Sequence, residues 1–140
     1  MSQADEFFAP ESELLDKLCD EDSGALLPEL FAARTQRYRF AHIHAECFTF
    51  GVFDDLLRRL GARQAFELIP NAVPIVLSQT DPDLLDTAFS LLCGLARASD
   101  TTELPAQLAA EWERLYERAL TLPPKQQVYW DGLRKWYRRA

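Results

Sequence analysis

The chain has 140 residues, 48% of them hydrophobic and 26% charged, with a formal net charge of -7. Its apolar and aromatic content excludes a largely disordered chain, and no run reaches the roughly 18 to 20 apolar residues of a membrane span. An acidic surface repels phosphate, which argues against a general nucleic-acid binder and leaves a small acidic domain with one core.

In chain order the pattern is helical. Pro10 suits the first position of a helix, where the missing amide costs nothing. Leu14, Leu15 and Leu18 supply its apolar stripe, and Asp20-Glu21-Asp22-Ser23-Gly24 ends it. A second short stripe is Leu26, Leu27, Leu30 and Phe31, with Pro28 early in it.

Between Tyr38 and Leu60 two periods compete. Tyr38-Arg39-Phe40 and Phe48-Thr49-Phe50 alternate as strands do. Ala41, Ala45, Phe48, Val52, Leu56 and Leu60 follow helical spacing and run into Asp54-Asp55-Leu56-Leu57-Arg58-Arg59. We read helix throughout, with Gly51 as a break and Gly61 as a C-terminal stop.

Ala65, Phe66, Leu68, Ile69, Ala72, Val73, Val76 and Leu77 predict an apolar-rich helix, kinked or restarted at Pro70 and Pro74. Asp81-Pro82 reads as an N-cap followed by proline at the first helical position. The helix that follows carries Leu85, Ala88, Phe89, Leu92, Leu95 and Ala96 and ends near Ser99. Asp100-Thr101-Thr102-Glu103 is a turn. Pro105 opens a helix with Leu108, Trp112, Leu115, Tyr116, Ala119 and Leu120, which Pro123-Pro124 breaks. The last helix carries Tyr129, Leu133, Trp136 and Tyr137, with Arg134, Lys135, Arg138 and Arg139 beside them.

Charge is segregated. Residues 1–30 hold nine acids and one base, whereas residues 121–140 hold five bases and one acid. The N-terminus has neither the basic nor the apolar region of a secretory signal. Cys19, Cys47 and Cys93 are odd in number and widely spaced, unlike a disulfide framework. These features read as a single cytoplasmic domain over 1–140. Acidic helices occupy 1–34, a repeat-like core 35–99, and C-terminal helices 100–140.

The stretch from Ala72 to Ala96 resembles one unit of the HEAT repeat family. The matching residues are Pro74 in the first helix, Asp81-Pro82-Asp83 in the turn, Leu85 and Ala88 in the second helix, and Leu92-Cys93-Gly94-Leu95-Ala96 at its end. Asp86 departs from the basic residue the family often has there. The resemblance implies an all-α stack of about five to seven helices in antiparallel pairs, a scaffold that binds partners. The layout as a whole is similar to small bacterial immunity proteins, which neutralise a toxin by binding it. That similarity implies a stoichiometric inhibitor, and an acidic surface suits a protein partner whose active cleft is basic.

Chemistry-bearing clusters are sparse. His42 and Glu46 share one helical face, and His44 and Cys47 share another. Two diverging pairs do not supply the three or four converging ligands of a metal site. No nucleophile elbow, phosphate-binding loop or dinucleotide loop occurs, so neither catalysis nor a cofactor is expected. The C-terminal mixture of aromatics and bases fits a docked helix with solvated charges better than a nucleic-acid or membrane surface. As partner contacts we take Asp54, Asp55, Asp83 and Asp86 first, then His42 and Glu46. A scaffold or adaptor joining two partners is the alternative.

Overall fold

The computed structural model describes residues 13–40 and 53–139. Among them every regular element is helical and none is a strand. The chain divides into two compact units, Met1–Arg59 and Leu60–Ala140.

In the first unit, residues 13–20 form α1, which buries Leu15, Leu18 and Cys19. The chain leaves this helix through Asp22, whose φ of 55° is in the left-handed region that aspartate tolerates better than most residues. After a 3-10 turn, Gly24–Leu26, helix α2 spans Leu27–Phe40. Pro28 lies in its first turn, where amides lack an intrahelical partner in any case. The predicted stripe is present, with Leu27, Leu30 and Phe31 all buried. Tyr38-Arg39-Phe40, whose alternation resembles a strand, is helical. Helix α3 is Asp54–Arg59, and Phe53 just before it stacks on Phe31 with ring planes 3° apart and centroids 5.9 Å apart. The expected break at Gly51, together with His42, His44, Glu46 and Cys47, lies outside the described residues.

In the second unit, α4 spans Ala62–Ser78 and α5 spans Pro82–Ala98. Helix α3 stops at Arg59, just before Leu60-Gly61, as expected, but without a left-handed glycine cap. Gly61, with φ of -73° and ψ of 163°, is extended, and it caps the start of α4, donating its N–H to Gln64 Oε1 at 3.2 Å. Helix α4 does not restart at its prolines, because helix continues through both Pro70 and Pro74. The two are one helical turn apart, so the lost amides fall on one side of the helix. Pro74 is exposed, while Ala65, Leu68, Ile69, Ala72, Val73, Ile75 and Val76 are buried on the other side. Burial of that stripe outweighs two missing backbone bonds. The Asp81-Pro82 start of α5 is as expected: Asp81 accepts from the Leu84 amide at 3.4 Å, with Pro82 in the first turn.

The helix expected from Pro105 to Leu120 is two helices. Ala106–Ala110 is α6 and Trp112–Leu120 is α7, with Glu111 between them at φ -101° and ψ 6°. Neither glycine nor proline marks the break. It immediately precedes Trp112, whose ring meets both Trp130 (centroids 4.8 Å apart) and Tyr137 (6.3 Å). Pro123-Pro124 then ends the pair, and after a 3-10 turn α8 spans Val128–Trp136.

A three-residue turn joins α4 to α5, which makes them an antiparallel hairpin. Helices α6 and α7 pack on α4, and α8 packs on α5. The register along α5 and α8 runs in one direction. Gln126 meets Asp83, Trp130 meets Phe89, Gly132 meets Cys93 and Arg97, and Trp136 reaches the Thr101 carbonyl. So α8 lies parallel to α5, and one hairpin is laid on the next. The two helices are close at Gly132, where a Cβ would lie 3.4 Å from both Cys93 Sγ and Arg97 Nη2, at the near edge of ordinary contact. The centre of the second hairpin is aromatic. Trp130 contacts Phe89, Trp112 and Tyr116 and is 2% exposed.

Candidate functional site

Each sequence-selected acid has a definite place. Asp54 and Asp55 open α3 in the first unit, where carboxylates suit the positive end of the helix dipole. Asp54 is exposed. Asp55 is taken up by a structural bond: its two oxygens accept from Arg34 Nη1 and Nη2, each at 2.8 Å, and Oδ1 also accepts from the Leu56 amide. This paired geometry is the strong form of a carboxylate–guanidinium bond. Burial pushes the Asp55 carboxyl up, but the Arg34 bonds outweigh it and hold the carboxyl below its ordinary range. The Arg34 side chain is only 8% exposed, against 41% for Asp55, so the link is half internal.

The same unit carries an acidic rim. Glu13, Asp16, Asp20, Glu21, Asp22 and Glu29 are all exposed, as is Asp54. Arg59 spans part of it, donating to Asp16 Oδ1 at 2.9 Å and Asp20 Oδ1 at 3.0 Å. Beneath them Cys19 is buried, and burial pushes its thiol up, away from the reactive thiolate.

Asp83 and Asp86 lie on the first turns of α5 in the second unit. Asp83 is exposed and accepts from Gln126 Nε2 at 3.3 Å. Asp86 is half-buried, and its Oδ1 is buried with no hydrogen-bond donor. Burial, and then the charge of Asp83, raise its pKa. Asp86 is therefore the costlier carboxylate of the two to keep ionised. Asp54 and Asp55 thus belong to the first unit, and Asp83 and Asp86 to the second. His42 and Glu46 lie outside the described residues. Among the described residues, no three His, Cys, Asp or Glu side chains gather as metal ligands do.

Sequence periodicity misassigned four apolar side chains or left them out. Tyr116, Leu120, Val128 and Tyr129 are exposed by 36%, 57%, 62% and 37%. Tyr116, Leu120 and Tyr129 were expected on core stripes. Adjacent helical residues point about 100° apart, and α7 is covered over a narrower stripe than α4, so Leu115 and Ala119 are buried while their neighbours Tyr116 and Leu120 are exposed. The inward set is Trp112, Leu115 and Ala119, and on α8 it is Trp130, Leu133 and Tyr137. Trp136 is half-buried at the edge, its indole N–H donating to the Thr101 carbonyl at 3.0 Å. The spacing Trp130, Leu133, Tyr137 is itself a helical stripe, and that was the available signal.

Neither protein-family models, curated proteins nor solved structures match this chain. Among the described residues, no helix is long and apolar enough to cross a membrane.

Proposed function

We propose that this chain is a protein-binding module, an immunity-type inhibitor of the bacterial cytoplasm that neutralises a basic partner by covering its active cleft. The observation that carries the reading is the exposed acidic rim of the first unit. Residues 1–59 contain twelve acids and six bases, whereas residues 60–140 are nearly balanced at ten and nine. Charge concentrated on one surface steers a partner of opposite sign and speeds encounter, while buried anchors supply most of the affinity. The resemblance to HEAT scaffolds belongs to the same proposal. What supports it is the parallel register of α5 and α8 and the packing of α6 and α7 on α4. An adaptor that joins two partners is the alternative reading, favoured by the difference in charge between the two units.

The test uses the full chain and the protein encoded by the adjoining open reading frame. Immunity predicts a stoichiometric complex that abolishes the neighbour's activity and weakens as salt rises. The variant Glu13→Lys/Glu21→Lys/Glu29→Lys, which reverses rim acids that make no described bond, is expected to slow association. No binding at micromolar concentration removes the proposal. Binding without loss of the neighbour's activity favours the adaptor.

A further inference from the structure

No further inference is drawn: the strongest candidate, the carboxylate pair Asp83 and Asp86 on the first turns of α5, with Asp86 Oδ1 buried and without a donor, is an acidic cluster that belongs to the candidate site already described, and nothing in the structure shows which ligand it would meet.

Discussion

Two kinds of cohesion operate in this chain. In Leu60–Ala140 long apolar helices meet face to face, and an aromatic group of Phe89, Trp112, Trp130 and Tyr137 fills the second hairpin. In the described part of Met1–Arg59 the contacts are shorter and more polar. Arg34 grips Asp55, Arg59 reaches Asp16 and Asp20, and Phe31 stacks on Phe53. Helix α3 has six residues, far too few to be stable alone in water. It holds because Leu56 is buried and because charged bonds tie its two ends to α1 and α2. The lesson is one of length. A 17-residue helix such as α4 has enough apolar face to be placed by burial, even with two prolines in it. A six-residue helix needs directional bonds as well.

The sharpest way to break the apolar unit is Trp130→Ala. The expected loss is about 3–5 kcal/mol, as for truncation of a buried aromatic ring in a close-packed core. All three tryptophans lie in the second unit, so fluorescence-monitored urea unfolding reports on it, with Trp112 and Trp136 remaining in the variant.

For the polar unit the matching change is Arg34→Met. It leaves Asp55 half-buried without its guanidinium and is expected to cost about 1–3 kcal/mol. Far-UV circular dichroism on urea titration measures it. The pH dependence carries the distinguishing sign. The Asp55 carboxyl is lowered in the folded state, so its bond stabilises fully above the ordinary carboxylate range. That contribution falls away as the pH drops through the lowered native value. The difference between parent and variant is therefore expected to shrink on acidification. A difference constant from neutral pH to about pH 2 contradicts the assignment of the loss to this bond.

A smaller effect is expected from Asp81→Ala, which removes the side-chain cap of α5 and costs about 1 kcal/mol. Smaller still, and opposite in sign, is Asp86→Asn. Burial and Asp83 raise the native pKa of this carboxyl, so its ionised form opposes folding. The neutral amide is expected to raise the melting temperature at pH 7. The gain disappears as the pH falls through the raised native value, where Asp86 is protonated in the parent as well. A gain that persists at acidic pH points to packing rather than charge.

Much of this layout was legible along the chain, for reasons that differ from element to element. Asp81-Pro82 carries its own cap and its own fixed φ, so the start of α5 is a local property. Pro123-Pro124 ends α7 for equally local reasons. Leu27, Leu30 and Phe31 announced α2 by spacing alone. Glu111 carries no such mark, and the break there was not legible. Asp55 was legible as an acid at a helix start but not as a bound one, because Arg34 is 21 residues away. Of the acids chosen as partner contacts, Asp54 and Asp83 are exposed, whereas Asp55 serves the fold and Asp86 is half-buried.

The sequence by itself determined the all-helical class, most helix boundaries and the concentration of acid near the N-terminus. These follow from periodicity, capping and composition, all of which act over a turn or two of chain. The tertiary structure decided which of two neighbouring apolar residues faces inward, and so left Tyr116 and Leu120 outside while burying Trp112, Leu115 and Ala119. It decided that α4 stays continuous across Pro70 and Pro74, and that Gly61, beyond the end of α3, also caps the start of α4. The physical reason is the same in each case. A stripe on one helix states what must be covered, but the direction and partner of that burial depend on helices many residues away.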